Sequence, residues 1–120
     1  MLPMKMLLKH MKFIQIFFLL LSFSVFSQST FEKAEKLYAQ KKYNEAEKLF
    51  SEHLKSQPNH AKTIEYLGDI AGHQKDWDTG ITNYKKLKVS YPKNANYWYK
   101  YGGALEMKAK ESNKFKALGM

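Results

Sequence analysis

The segment Asp76-Trp77-Asp78-Thr79-Gly80 has the carboxylate spacing with which a calcium-binding loop begins. Such a loop also needs a bidentate acid at its twelfth position, where this chain has Leu87. An apolar side chain cannot complete the coordination shell. We therefore expect Asp78 to cap a helix rather than to bind calcium.

Other residue types that could carry catalysis occur, but their spacing does not support it. His53, His60 and His73 lack the spacing of metal ligands, and no cysteine is present to act as ligand or nucleophile. Glu45 and Glu47 point in different directions on a helix. Phosphate-binding loops, nucleophile elbows and dinucleotide-binding glycine patterns do not occur. We predict no catalytic, cofactor-binding or metal-binding residue and no enzymatic activity.

The length and composition indicate one small folded domain. The chain has 120 residues, of which 44% are hydrophobic and 26% charged, as in ordinary globular proteins. Its formal net charge is +9, and all 20 basic residues are Lys. Without the bidentate guanidinium of Arg, specific nucleic-acid recognition is not expected. The Lys excess leaves open a second function, association with anions or with a membrane surface.

The amino-terminal residues have the pattern of a secretory signal peptide. Basic residues up to Lys12 precede an uncharged run from Phe13 to Phe26, and small polar residues follow it. This order predicts that residues 1–27 are cleaved after Ser27 and that the protein is periplasmic or secreted. An uncleaved run would instead anchor a scaffold in the inner membrane, although a helix of this length covers only about 21 Å of a hydrocarbon core of about 30 Å.

The remainder of the chain repeats itself at one fixed offset, the separation of Tyr43 from Trp77, which we call the repeat period. The other pairs at this separation are Asn44 and Asp78, Ala46 and Gly80, Phe50 and Tyr84, Pro58 and Pro92, Ile64 and Trp98, and Leu67 and Tyr101. Two series of three extend the pattern, namely Ala34, Gly68 and Gly102, and Leu37, Ala71 and Leu105. A fixed period of this length is typical of repeat proteins built from helical hairpins.

These residues resemble the tetratricopeptide repeat, whose 34-residue unit has the pattern W-x2-L-G-x2-Y, A-x3-F and P. Ile64-x2-Leu67-Gly68-x2-Ala71, Gly80-x3-Tyr84 and Pro92 match one whole unit. The preceding unit departs from the pattern at Lys33, where leucine is usual. The resemblance implies an all-α solenoid of tandem antiparallel helical hairpins. Its first repeat would span residues 28–60, its second 61–94, and a partial third 95–120.

Apolar spacing predicts the same hairpins without the family. Ala46, Leu49, Phe50 and Leu54 follow an i, i+3, i+4, i+8 stripe, as on the buried side of a helix. The predicted helix caps are Ser29 with Glu32, Asn44 with Glu47, Asn59, Asp78 and Asn94. The residues expected to pack the repeats together are Ala34, Ala46, Phe50, Pro58, Leu67, Gly68, Gly80, Tyr84, Pro92, Trp98 and Gly102.

The third unit departs from the pattern after Leu105. No turn residues follow at the place where the earlier helices end, and Lys114 stands one repeat period after Gly80, where a charge could not pack. Two alternatives remain open. Either the first helix is prolonged to about Ser112 and followed by an irregular segment, or the chain is an incomplete piece of a longer repeat protein, which we favour.

The resemblance implies a scaffold that binds a protein or peptide segment in a concave groove lined by the first helix of each repeat. Carried over to this sequence, the groove residues are Phe31, Glu35, Tyr38, Glu65, Asp69, Gly72, Tyr99, Gly103 and Glu106. Because this set is acidic and aromatic, we expect a basic or aromatic segment as partner. Contact with a membrane is expected only if residues 1–27 are retained.

Overall fold

The structure, a computed structural model, describes residues 28–120, so the predicted signal peptide lies outside the described residues. The described part contains helices and no strand, which confirms the all-α class. Its five helices are α1 (Thr30–Ala39), α2 (Tyr43–Ser56), α3 (Ala61–His73), α4 (Trp77–Ser90) and α5 (Ala95–Ala117). None of these helices is both long and apolar enough to cross a membrane.

Three of the helices begin with a side chain that caps the first turn. The caps and the amides from which they accept are Ser29 with Glu32 (3.1 Å), Asp76 with Thr79 (3.2 Å) and Asn94 with Asn96 (3.0 Å). Each bond satisfies an N–H group that has no partner within its own helix. The predictions for Ser29 and Asn94 are confirmed.

The other three predicted caps are wrong. Asn44 already lies inside α2, and its side-chain oxygen accepts a hydrogen bond from a glutamine that follows α3. His60, not Asn59, directly precedes α3, and Asp76, not Asp78, caps α4. The spacing of cap residues in a sequence fixes a helix start only to within one or two positions, and here each start is displaced by that amount.

A tight turn joins the two helices of each hairpin. Lys41 and Lys75 have φ angles of 60° and 59°, in the left-handed region that non-glycine residues seldom adopt. After α1, the amide of Lys42 donates to the carbonyl of Leu37 at 2.9 Å. After α3, the amide of Asp76 donates to the carbonyl of Ala71 at 2.8 Å. These bonds reverse the chain and satisfy carbonyls at the helix ends.

Consecutive helices pack against each other in antiparallel pairs. In the first pair, the rings of Tyr38 and Tyr43 lie 5.5 Å apart beside the turn, and those of Phe31 and His53 lie 5.3 Å apart at the far ends. One buried cluster joins α1, α2 and α3 and consists of Ala34, Ala46, Phe50 and Ile70. A second joins α3, α4 and α5 and consists of Ile64, Tyr84, Leu87, Tyr97 and Ala104.

The helix boundaries recur at the repeat period found in the sequence. α2 and α4 begin and end one period apart, at Tyr43 and Trp77 and at Ser56 and Ser90. The first residues of α3 and α5 have the same separation. The two left-handed lysines are also one period apart in the chain. The period is therefore a property of the backbone as well as of the sequence.

The last helix continues past Ser112, where one alternative from the sequence was an irregular segment. α5 extends without a break to Ala117, where the amide of Met120 donates to the carbonyl of Phe115 at 3.0 Å. Ala, Lys and Glu predominate between 106 and 117, and all three favour helix. The ion pair of Lys110 with Glu106, one turn apart, adds to this preference.

Two residues expected to pack between repeats are exposed on α5. Trp98 is 48% exposed, and Gly102 has no atom within 4 Å of the position that a Cβ would take. Among the described residues, no further helix covers this side of α5. The Trp98 ring is instead held by a hydrogen bond from Nε1 to the carbonyl of Pro92 (2.8 Å) and by Lys88 Nζ, 4.3 Å from the ring centroid.

Candidate recognition face

α1, α3 and α5 lie side by side and are joined by polar contacts. We call the surface that they form the α1–α3–α5 face. Between α1 and α3, the hydroxyl of Tyr66 donates to Glu35 Oε2 at 2.9 Å. Burial, and then this hydrogen bond to Glu35, raise the pKa of Tyr66 to about 12. The bond therefore fixes the spacing of two helices through a neutral phenol.

Between α3 and α5, a single lysine joins two carboxylates. Lys100 Nζ lies 2.8 Å from both carboxylate oxygens of Asp69 and 3.2 Å from Glu65 Oε2. Tyr84 and Asn96 donate further hydrogen bonds to Asp69 (2.5 Å) and Glu65 (2.9 Å). Both acids thus share one ammonium group within the molecule, which leaves the network with a single negative charge and weakens its attraction for a basic partner.

The pKa shifts in this network follow from its geometry. Burial lowers the pKa of Lys100, but the hydrogen bond and charge of Asp69, together with Glu65, outweigh burial and leave that pKa raised. Burial, and then the hydrogen bond to Asp69, raise the pKa of Tyr84. At neutral pH the network therefore consists of a protonated lysine, a neutral phenol and two carboxylates.

The two junctions occupy equivalent places in the chain. Glu35 and Tyr66 precede Asp69 and Lys100 by one repeat period each, so the same pair of positions joins α1 to α3 and α3 to α5. The contacting residues within a junction are 31 residues apart. Sequence reasoning missed Lys100, although its signal was available as the residue one period after Tyr66.

The predicted groove residues have four different environments. Phe31 and Tyr38 are half-buried in aromatic contacts, and Glu35, Glu65 and Asp69 form the junctions described above. Gly72 and Gly103 line a shared cavity of about 230 Å³. The remaining two, Tyr99 and Glu106, point into solvent.

Tyr99 is the most exposed aromatic side chain of the face, at 80%. Glu106 is also exposed, and its carboxylate lies 2.8 Å from Lys110 Nζ, which lowers the pKa of Glu106. The structure thus leaves Tyr99 available to a partner.

Aromatic and histidine rings cluster at the first junction. The ring of Tyr43 stacks on His73 with centroids 4.3 Å apart, and Tyr38 lies 4.9 Å from Tyr66. Spacing alone did not predict these contacts, because they join residues from three helices. The rings pack against one another as apolar surfaces, and the hydroxyl and imidazole groups at their edges can form hydrogen bonds.

A second ring cluster lies at the opposite end of the same helices. The rings of Phe31, His53 and His60 are within 5.0 to 5.3 Å of one another. His60 Nδ1 lies 2.7 Å from Thr63 Oγ1, and His53 Nε2 is buried with no hydrogen-bond partner among the described residues. No group of three or more His, Cys, Asp or Glu in residues 28–120 is arranged to hold a metal ion.

The surface beside the second junction combines paired acids with open apolar side chains. The two acids of α3 share one ammonium group, and the open surface beside α5 is lined by Trp77, Met107 and several lysines. Such a surface can recognise side chains of another chain. A scan against protein-family models and a search of curated proteins find no match to this sequence.

Proposed function

We propose that the protein is an exported scaffold of the tetratricopeptide type that binds a segment of a partner protein on the α1–α3–α5 face. The observation that carries the proposal is the recurrence of the helix junction. Glu35 with Tyr66 and Asp69 with Lys100 make polar contacts between equivalent positions, one repeat period apart. A binding surface composed of successive first helices requires such a repeated junction.

The repeat assignment is part of the same proposal. Residues 28–60 and 61–94 each supply a helical hairpin, and 95–120 supply the first helix of a third repeat. The equal spacing of the helix boundaries supports this division. In a solenoid each repeat contacts its neighbours, in agreement with the two core clusters that each join three consecutive helices.

The partner we propose is a protein segment rather than a nucleic acid or a small molecule. All basic residues are Lys, and the exposed side chains near the face include Tyr99 and Met107, 80% and 41% exposed. Exposed aromatic and methionine side chains are enriched at protein interfaces. The sulfur and ring surfaces can adapt to a partner segment without specific hydrogen bonds.

Export is proposed on the sequence pattern of residues 1–27 and is tested by the intact mass of the protein recovered from cell fractions. A soluble periplasmic or secreted species that begins at Gln28 supports cleavage after Ser27. Retention of residues 1–27 in the membrane fraction would make the protein a tethered scaffold. Full-length protein in the cytoplasm would contradict export.

Site-specific photocrosslinking in the native cell tests the recognition face. A photoreactive phenylalanine analogue replaces Tyr99 on the face, and in a matched control it replaces Lys85, which is exposed on α4. We expect a discrete crosslinked protein band from position 99 and none from position 85. Equal crosslinking from both positions, or none from either, would contradict the proposed function.

A further inference from the structure

A cavity of about 230 Å³ lies where α3, α4 and α5 meet, and it is partly open to solvent. Gly72 and Gly103 border it from α3 and α5, and Trp77 borders it from α4. One water molecule occupies about 30 Å³ in the liquid, so the cavity has room for a side chain. A second depression of about 260 Å³ follows α5 and shares Trp77 and Met107 with the first. We call the first cavity the Gly72 pocket.

At the first junction, a tyrosine occupies the position equivalent to Gly72. Tyr38 lies one repeat period before Gly72. Its ring centroid is 5.5 Å from that of Tyr43, 4.9 Å from Tyr66 and 6.0 Å from His73. Aromatic rings at these separations attract one another in tilted and edge-to-face arrangements. At the first junction, therefore, a tyrosine side chain is enclosed by three neighbouring rings.

At the second junction glycine stands in place of the tyrosine, but the equivalent neighbouring positions still carry large side chains. The residues one period after Tyr43, Tyr66 and His73 are Trp77, Lys100 and Met107, and all three line the Gly72 pocket. An indole and a thioether both pack favourably against an aromatic ring. The empty space thus corresponds to the place that a tyrosine ring fills one repeat earlier.

The charges beside the pocket favour a bound aromatic side chain whose neighbouring residues are acidic. Lys75, Lys110 and Lys114 line the adjoining depression together with Glu111. Lys110 is paired with Glu106, whereas Lys75 and Lys114 form no ion pair with any described residue. Carboxylates of a bound segment would meet these ammonium groups at the rim, where opposite charges steer association and fix orientation.

We propose that the Gly72 pocket receives a tyrosine or phenylalanine side chain from a partner protein segment whose neighbouring residues are acidic. The inference rests on the proposed function, because it names the side chain that the α1–α3–α5 face recognises. The ring lies against Trp77 and Met107, as Tyr38 lies against its own neighbours. The flanking carboxylates lie along α5 beside its lysines.

The probe is an acetylated and amidated heptapeptide with one central Tyr among Asp and Glu residues. The full chain carries Trp98→Phe, which leaves Trp77 as the single tryptophan and hence as a reporter inside the pocket. We expect a saturable change in Trp77 emission. A peptide with Ala in place of Tyr should bind at least tenfold more weakly, as is usual for a buried aromatic anchor.

Two substitutions at one position form a matched pair. Gly72→Tyr supplies the missing side chain from the chain itself, and we expect it to weaken peptide binding at least tenfold. Gly72→Ala adds a Cβ that would lie 3.7 Å from the Trp77 ring, an ordinary contact, and should bind like the parent chain. Helical content and thermal melting establish that both variants fold.

A second variant keeps the test decisive if Gly72→Tyr does not fold. Gly103→Phe closes the pocket from α5, where a Cβ meets no atom within 4 Å, and Gly103→Ala is its control. We expect loss of binding for the first and retention for the second. A peptide with Lys flanks should bind more weakly than the acidic one, and equal affinity would overturn the charge assignment.

Absence of saturable binding, equal affinity for the Ala peptide, or unchanged affinity in the filled variants would overturn the pocket assignment. These results are separable from failure of the proposed function. If the crosslink from position 99 persists in the Gly72→Tyr chain, the face binds a partner without the pocket. If position 99 gives no crosslink in either chain, the recognition face itself is wrong.

Discussion

Lys100 of α5 donates to both carboxylate oxygens of Asp69 in α3, at 2.8 Å each. The side chains of this pair are only 25% and 19% exposed, so solvent screens their attraction less than it would at the surface. Removing the ammonium would leave Asp69 and Glu65 as neighbouring carboxylates of like charge. The contact is thus central to the junction between α3 and α5.

We expect Lys100→Met to lower the free energy of unfolding by about 1–3 kcal/mol, because it leaves part-buried charges without their partner. Adding Asp69→Asn should recover part of the loss. Urea unfolding followed by circular dichroism measures both. The control is Lys110→Met, whose ion pair with Glu106 is exposed to solvent and should contribute much less to stability. Equal losses for Lys100 and Lys110 would contradict a structural role for the network.

Two glycines of the repeat should respond in opposite directions to alanine. A Cβ at Gly68 would lie 2.7 Å from the ring of Tyr84, which is buried and held by its hydrogen bond to Asp69. We expect Gly68→Ala to cost about 1–3 kcal/mol through overpacking. Gly102→Ala meets no atom and should stabilise α5 by up to about 1 kcal/mol through helix propensity. Thermal melting tests the pair, and a stabilised Gly68→Ala variant would be inconsistent with close packing there.

Alkaline pH should weaken the junction between α1 and α3. The pKa of Tyr66 is raised to about 12, above its ordinary value of about 10, so the folded state holds the proton more tightly than the unfolded state. The resulting stability is fully present below pH 10 and is lost as the pH rises through about 12. The raised pKa of Lys100 acts in the same direction.

The measurement is the melting temperature between pH 8 and 12, with tyrosine ionisation followed by absorbance. Tyr66→Phe should show a smaller fall in melting temperature over the alkaline range. Tyr99→Phe, at an exposed position, should behave like the parent chain. A Tyr66→Phe chain that loses stability as steeply as the parent would argue against the Glu35 contact.

The helix caps give a further paired test. Asp76 accepts hydrogen bonds from both the amide and the hydroxyl of Thr79, at 3.2 and 2.7 Å. Asp76→Ala should therefore cost about 1 kcal/mol of stability. Asp78 is 77% exposed and its side chain pairs with Lys108, so Asp78→Ala should cost less than about 0.5 kcal/mol. Urea unfolding compares the two, and the reverse order would restore Asp78 as the cap.

The hairpins could be predicted from the sequence because helix formation and turn placement are local. Apolar spacing and the prolines at 58 and 92 locate the helices, and the structure ends α2 and α4 two residues before each proline. First helical residues are less certain, since a start can move by one position without changing the buried side of the helix.

The junctions could not be predicted in the same way. The repeat period relates equivalent positions, but the residues that touch across a junction, such as Asp69 and Lys100, have the shorter separation of 31. That second separation depends on how far one helix is displaced along its neighbour. For the same reason the sequence indicated an acidic groove at Glu65 and Asp69, whereas the structure pairs both acids with Lys100.

Nuclear magnetic resonance of a chain labelled only at glycine tests most directly whether the α1–α3–α5 face binds a peptide at the Gly72 pocket. The chain has six glycines, of which Gly72, Gly80 and Gly103 line the pocket, while Gly102 and Gly119 lie outside it. On titration with the acidic tyrosine peptide, we expect the amide signals of Gly72 and Gly103 to move most. Signals that stay in place, or that move most at Gly102 and Gly119, would contradict recognition through the Gly72 pocket.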